Sequence, residues 1–314
     1  MNILITGANG FIGRHLCERM KHYGSVVGIG LSDCSLEGIT YCKMNVLDDK
    51  AINDLFAKYK FDKVIHAASV TFHDDIVNKK QMSLDVCFRG TENLITAFNT
   101  YSNGGLFIYT STGKIYGGGV TQPIDELTPP NPKNALGKQK RMVEQIMDYY
   151  STDKLDNKFV IFRMFNIYGY GQRSTFVIPY IMEQIKISDT ISLGNLDDAR
   201  DYLNVEDLVD CFDSLLKNYK AKNQLEHFNI GSGKAYSVKD ILAIIEKATG
   251  RHFNINIDAK KLRHDETSIE YADIKKINQY IGWEPKTSME QGLIDMLKKN
   301  KLIEGLDDCH QNAI

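Results

Sequence analysis

The sequence predicts an α/β fold in which a doubly wound parallel sheet is joined to a smaller C-terminal α/β domain. Three observations predict it. Short apolar runs alternate with helical patterns of about 10 to 20 residues through the first half, as right-handed βαβ units require. Three glycines, Gly7, Gly10 and Gly13, stand between the first strand and the first helix. After about residue 165 the alternation gives way to shorter, irregular pieces, so a second unit is expected. The 314 residues suffice for one large core and a smaller one.

In chain order, Asn2–Thr6 reads as a buried strand and Ile12–Lys21 as a helix. Ser25–Leu31 is a second strand and Ala51–Tyr59 a second helix. Lys63–Ala67, Leu106–Thr110 and Lys158–Arg163 are further strands, with helices near Gln81–Tyr101 and Leu136–Tyr150 between them. Beyond the glycine-rich stretch Gly169–Arg173, helices are expected over Phe176–Ile187, Glu206–Lys217 and Ser237–Thr249. Short strands are expected at Ile191–Leu193 and His227–Ile230. Ser237 is placed to cap the last of these helices and Gly250 to end it. The expected division puts 1–165 in the first domain, with about 203–230 returning to it. Residues 166–202 and 231–314 then form the second, across a cleft.

Composition narrows the function. A formal net charge of −2 and a pI near 6.5 provide no field for nucleic acid or an anionic membrane. The six cysteines fall at irregular spacings without a Cys-x-x-Cys pair, which argues against a structural zinc or a disulfide framework. They suit a reducing cytoplasm. No long apolar run suggests a membrane span, and the N-terminus lacks the basic region of a signal peptide.

Thr6–Gly13 reads T-G-A-N-G-F-I-G. The first glycine permits a tight strand-to-helix turn and the second allows backbone to approach a pyrophosphate. The third lets the helix pack close to the sheet, with its N-terminal amides facing the phosphates. This is the arrangement of a Rossmann dinucleotide-binding domain. A ligand-free glycine turn is the competing reading; the flanking strand and helix weigh against it.

The G-x-x-G-x-x-G spacing resembles the short-chain dehydrogenase/reductase superfamily. Later segments resemble its extended branch, the NAD-dependent epimerase/dehydratase family, in that family's order. These are VIHAAS at 64–69, STGKIYG at 111–117, RMFNIYG at 163–169, RDYLNVED at 200–207 and IGWEP at 281–285. QRSTFVIPYIMEQI at 172–185 is most similar to members acting on GDP-sugars. The resemblance implies NAD as cofactor, leaves NADP open, and implies a nucleotide-sugar substrate, a GDP-sugar in preference to a UDP-sugar. Cofactor contacts are implied for Gly7, Asn9, Gly10, Phe11, Ile12 and Gly13, for Asn45, Val46, Ala67, Ala68 and Ser69, and for Lys140 and Phe165. Substrate contacts are implied for Thr112, Asn166, Arg200, Arg263 and Glu266; the bland reading of the charged ones is a surface ion pair. A homodimer through the helices near Leu84–Tyr101 and Leu136–Tyr150 is implied as well.

Three positions depart from the family. Its catalytic pair is Tyr-x-x-x-Lys, the tyrosine exchanging a proton while the lysine holds the nicotinamide ribose. Lys140 matches the lysine, but Leu136 stands at the tyrosine position, and a leucine exchanges no proton. Thr112 supplies the expected hydroxyl. Replacement bases are His73, Lys114, Tyr116 or solvent; for His73 a surface loop residue is an equal reading, and for Lys114 a solvated or paired lysine is the simpler one. Secondly, the second strand ends at Gly30 rather than an acid, with Ser32 and Asp33 beyond it and no following arginine for a 2′-phosphate. Thirdly, Cys87 replaces an asparagine and reads as a neutral buried thiol.

These departures select among reactions. Family dehydratases carry Asp-Glu after the threonine, where this chain has Gly113 and Lys114, so elimination is disfavoured. Epimerisation at C4 relies on the tyrosine. A net redox step at C4 of a GDP-sugar is left, with a 4-epimerase, a 4-keto reductase or a non-catalytic sensor as the alternatives.

Overall fold

The computed structural model describes residues 1–152, 156–261 and 269–303. The first half contains β1 (Asn2–Thr6), α1 (Phe11–Met20), β2 (Ser25–Gly30), β3 (Thr40–Lys43), α2 (Asp49–Tyr59) and β4 (Lys63–His66). It continues with α3 (His73–Asn78), α4 (Lys80–Cys87), α5 (Arg89–Tyr101), β5 (Leu106–Thr112), α6 (Ala135–Ser151) and β6 (Lys158–Met164). After these come β7 (Asn166–Tyr168), α7 (Val177–Ile185), β8 (Thr190–Leu193), β9 (Ala199–Asn204), α8 (Val205–Asn218) and β10 (Leu225–Ile230). The last elements are β11 (Ala235–Ser237), α9 (Val238–Thr249), β12 (Asn254–Ile257), β13 (Ile269–Glu270), α10 (Lys275–Ile281) and α11 (Met289–Lys299).

Seven strands form one parallel sheet in the order β10-β6-β5-β4-β1-β2-β3. The middle strands are near-continuous apolar runs because both faces are covered. On one face Ile3, Ile5, Ile108 and Phe162 pack with Leu16 of α1 and Leu208 and Phe212 of α8. On the other, Leu4, Val64, Phe107 and Phe159 pack with Phe56 of α2, Phe98 of α5 and Val143 of α6. Burying such a side chain contributes about 1.5–3 kcal/mol, so these two layers dominate the energetics. A third cluster joins α7, α9 and α11 around Ile181, Ile241 and Leu293, apart from the large sheet. Its strands form a four-stranded sheet, β11-β9-β13 with β7 on β9, and a β8–β12 pair.

Side-chain caps start the helices where local sequence calls for them. Asp48, Asn134, Asn204 and Ser288 each accept a hydrogen bond from a first-turn amide of α2, α6, α8 and α11. Ser237 forms a capping box with Asp240, and Gly250 closes α9 in the left-handed region at φ 65°.

The doubly wound α/β expectation agrees with this fold, and several boundaries move. The helical stretch expected over Gln81–Tyr101 divides at Phe88, and α3 precedes it. β3 carries no buried residue, so an edge strand with exposed ends and a half-buried middle produced no apolar signal. β5 runs two residues past its expected end, pairing Ser111 with Arg163 and Thr112 with Met164. Thr112 therefore sits on rigid sheet rather than on a loop.

Candidate active site at the carboxyl ends of β1, β4 and β5

The dinucleotide turn is built around backbone contact. Gly7 has φ 67°, and a Cβ there would lie 2.9 Å from the Ala68 backbone, so the β1 and β4 turns touch. Gly10 caps α1 and donates its N–H to the Gly7 carbonyl at 2.9 Å. A Cβ on Gly13 would collide with the same carbonyl. The amides of Phe11 and Ile12 stand in the first turn of α1, where anion-binding N–H groups are found. Gly10 is the open position, with only the Gly7 carbonyl within reach of a Cβ, so a side chain there would stand in the cradle. The residues present thus fit a dinucleotide pyrophosphate.

A buried polar rivet fixes the cradle. Thr91 Oγ1 donates to the Cys87 carbonyl, so it accepts from His66 Nε2 at 2.9 Å. His66 Nδ1 is then left to accept from Thr6 Oγ1 at 2.7 Å, while Thr6 Oγ1 accepts from the Ala68 amide at 3.0 Å. Burial, with the nearby Lys140 charge, pushes the His66 pKa down to about 3, so the ring is the neutral tautomer. Ala67 and Ser69 flank Ala68 on this turn, half-buried.

At the end of β2, Gly30 stands where the sequence placed it, and an arginine comes near that the sequence reading did not supply. Gly30 is a glycine because the Tyr41 hydroxyl and the Asn9 amide occupy the space above it; a Cβ would lie 2.7 Å from Tyr41 Oη. Asn9 Nδ2 donates to Ser32 Oγ at 3.1 Å, and Asp33 pairs with Lys43 at 2.7 Å. An arginine does reach this loop, from α1: Arg14 donates to the Asn9 carbonyl at 3.0 Å and lies 3.6 Å from Cys34 Sγ. Asn45 and Val46 follow β3; Asn45 is exposed, and the Val46 carbonyl accepts from Asn93 at 3.0 Å.

At the catalytic end, Lys140 on α6 donates from Nζ to the Thr110 carbonyl at 2.6 Å, with its ammonium 4.6 Å above the Tyr109 ring. It is 3% exposed, and burial pushes its pKa down. Leu136 is the second residue of α6, half-buried, next to Gly137. Gly137 lies so close to the Lys114 carbonyl that a Cβ would clash, which locks α6 against the turn after β5. Thr112 Oγ1 accepts from the Lys114 amide at 3.2 Å. Phe165 is buried, with its ring about 3.0 Å from where a Gly113 Cβ would stand.

Neighbouring ionisable groups are mostly committed. Glu144 accepts from Arg163 at 2.9 and 3.2 Å and from Ser111 Oγ at 2.6 Å, an arrangement suited to a guanidinium fork. Tyr116 donates to Asn229 Oδ1 at 2.7 Å and accepts from Arg163 at 3.0 Å. It is fully buried and its pKa is pushed up to about 12, chiefly by burial, which removes it as a replacement base. His73 opens α3, but its side chain lies outside the described residues, as do Arg263 and Glu266. Lys114 Nζ meets Glu270 Oε2 of β13 at 2.8 Å, a partner nothing local in the sequence announces.

On the opposite side, Asn166 donates to the Asp201 carbonyl at 3.0 Å. Arg200 is 6% exposed, donates to the Ala199 carbonyl and pairs with Asp198 at 3.5 Å. Asp201, fully buried, gathers the amides of Ser232, Gly233 and Ala272 and so fastens β9 to the segments beside it. Among the described residues no cluster of His, Cys, Asp or Glu is arranged for a metal ion. None of the described helices is long and apolar enough to cross a membrane.

A glycine cradle at a helix N-terminus after β1 and a buried lysine anchored on β5, two strands across the sheet, define a dinucleotide-dependent α/β oxidoreductase. Residues 3–231 match the NAD dependent epimerase/dehydratase family, and the chain belongs to it. It is an oxidoreductase/epimerase-type enzyme, and its cofactor is NAD. Over 309 residues, spanning 97% of this chain and 99% of the relative, it is 27% identical to GDP-6-deoxy-D-talose 4-dehydrogenase of Aggregatibacter actinomycetemcomitans. It is 28% identical to UDP-arabinose 4-epimerase 1 of Arabidopsis thaliana, covering 96% of this chain and 80% of that protein. Among solved structures, a putative epimerase from Burkholderia cenocepacia superposes with a TM-score of 0.87 at 27% identity, covering 96% of this chain and 98% of that one.

Proposed function

We propose that the protein oxidises the C4 hydroxyl of a GDP-sugar of mannose or heptose type to a ketone, as a GDP-sugar 4-dehydrogenase of surface-polysaccharide synthesis. The observation that carries this reading is the pairing of Lys140, buried and directed at the end of β5, with Leu136 at the family's tyrosine position. NAD when bound supplies the hydride acceptor. Lys140 holds its ribose hydroxyls and Thr112 Oγ1 orients the sugar hydroxyl. Asn166 and Arg200, with Arg263 and Glu266, serve the nucleotide end. Gly113 and Lys114 at the dehydratase acid positions disfavour elimination, and the similarity to GDP-6-deoxy-D-talose 4-dehydrogenase supports the GDP-sugar class. Residues 1–165 with about 203–230 then act as the cofactor domain, and 166–202 with 231–314 as the sugar-nucleotide domain.

A 4-epimerase is the second reading, favoured by the similarity to UDP-arabinose 4-epimerase. The test incubates the NAD-loaded protein with GDP-mannose, GDP-6-deoxy-D-talose and UDP-glucose, plus a ketone acceptor to recycle NADH. A 4-keto sugar nucleotide is expected from a GDP-sugar. An epimer without net oxidation would replace this reading with the second. No product from any sugar, with NAD still bound, would make the chain a sensor.

A further inference from the structure

If Leu136 exchanges no proton, another group must receive the one released when a sugar hydroxyl is oxidised. We propose that the Lys114–Glu270 couple carries that proton, with Lys114 Nζ meeting the hydroxyl and Glu270 behind it; this rests on the reading of the site as a C4 dehydrogenase.

Position is the first argument. Lys114 follows Thr112 by two residues, and its amide donates to the Thr112 hydroxyl. Its carbonyl abuts Gly137, the neighbour of Leu136. The backbone of Lys114 thus runs between the hydroxyl-orienting threonine and the start of α6, and its side chain ends at Glu270. Glu270 arrives from β13, paired in register with Arg200 on β9. The couple therefore lies on the seam between the cofactor-binding sheet and the strand that carries a sugar-nucleotide candidate.

Elimination is the second argument. Tyr116 is buried and bonded at both lone-pair and proton. His66 has both ring nitrogens engaged beneath the cradle. Glu144 is filled by Arg163 and Ser111. Lys140 donates to the Thr110 carbonyl and has the ribose to hold. Among the described side chains beside Thr112, Lys114 keeps an ionisable end that is 23% exposed, with a carboxylate that is 7% exposed in contact behind it.

The step balances. NAD, when bound, would accept the hydride of the C4–H bond, so that oxidation of the carbon is balanced by reduction of the dinucleotide. The O–H proton passes to Lys114 Nζ as that nitrogen yields one of its own to Glu270 Oε2. The couple ends with one added proton, which leaves Glu270 for solvent. In the reverse direction the same ammonium delivers a proton to a keto oxygen.

A simple clamp between the two sheets predicts different outcomes. Lys114→Arg keeps a cation beside Glu270 but cannot give up its proton at working pH. We expect it to retain bound NAD and its melting temperature, yet to lose about 10²-fold or more in single-turnover keto-sugar formation. Lys114→Ala should lose rate similarly and regain it with added primary amines, the regain depending on amine basicity. Glu270→Gln should slow the reaction with NAD content unchanged. Lys114→Arg turning over as fast as wild type, or no rescue by any amine, overturns the proposal while the dehydrogenase reading stands. Wild-type protein inert toward every sugar nucleotide tested overturns both.

Discussion

Lys140 holds the carbonyl of Thr110 at 2.6 Å, so the ammonium is anchored to the strand that two residues later presents Thr112. The anchor explains how a buried lysine with no carboxylate partner among the described residues is tolerated: a backbone dipole and the Tyr109 ring face replace water. Lys140→Ala should therefore lower bound NAD and slow turnover by about 10²-fold, with little gain on restoring charge as Lys140→Arg, whose fork does not fit one carbonyl. NAD content of the purified variants and single-turnover rates check this.

Gly10→Val probes the cradle independently of chemistry. A Cβ at Gly10 lies 3.1 Å from the Gly7 carbonyl, so the fold should survive with a modest loss of stability. The branched side chain stands where pyrophosphate must approach, and NAD occupancy should fall at least about tenfold, or 1.4 kcal/mol. Mass spectrometry of the denatured supernatant, beside a melting curve, separates the two effects. Normal dinucleotide content in a folded variant would refute the cradle.

His66 predicts a pH dependence of stability. Its folded pKa, about 3, lies below its ordinary value of 6.5, so the unfolded chain binds the proton first. The stabilisation is complete above 6.5 and is lost as pH falls toward 3, at up to about 1.4 kcal/mol per pH unit for one proton. His227, pushed down to about 4 chiefly by burial, adds to the same slope. Urea unfolding between neutral pH and pH near 5 should show the loss. His66→Gln should be less stable at neutral pH but show a shallower slope; an unchanged slope would place the titration elsewhere.

A homodimer remains a proposal with a surface to support it. Phe88, Met142, Ile146, Tyr149 and Tyr150 line one shallow depression at α5 and α6, with Glu92 and Gln145 as its polar members, and Tyr149 is 73% exposed. Such a patch on two adjacent helices suits a two-fold partner presenting the same face. Sedimentation at micromolar concentration should give a dimer, and Met142→Lys with Tyr149→Lys a monomer. A monomeric wild type would refute it.

Legibility followed the range of the cause. The glycine loop was readable because strand, turn and helix are contiguous, and Lys140 because motif spacing places it on a helix. Gly30 at the end of β2 was legible, but its cause was not: the space above it is filled by Tyr41, from an edge strand without apolar signal. Arg14 was overlooked beside the adenosine loop because it is carried there by α1 rather than by the loop itself. Glu270 could not be anticipated, since it meets Lys114 across 156 residues from a strand two residues long. Tyr116 stood among the replacement bases in the sequence because Asn229, which takes its proton, arrives from β10, 113 residues away.

Leu136→Tyr is the most exposed prediction. The leucine is half-buried in the first turn of α6, one turn before Lys140, so a phenol there would lie on the helix face that carries the lysine. The neighbouring ammonium would favour the phenolate, the form that accepts a proton. General-base assistance is commonly worth about 10²–10⁴-fold, and a fraction of that, roughly tenfold, is expected in a pocket shaped for leucine. The rate should also reach its plateau at lower pH than in wild type. If Lys114 and Glu270 carry the proton in wild type, Lys114→Arg should cost much less in the Leu136→Tyr background than alone, a coupling that a double-mutant cycle reads directly. Equal losses in both backgrounds would mean that the phenol and the lysine do not share a role. A slower Leu136→Tyr variant with intact NAD content would mean that the leucine shapes the sugar pocket and that its replacement blocks the substrate.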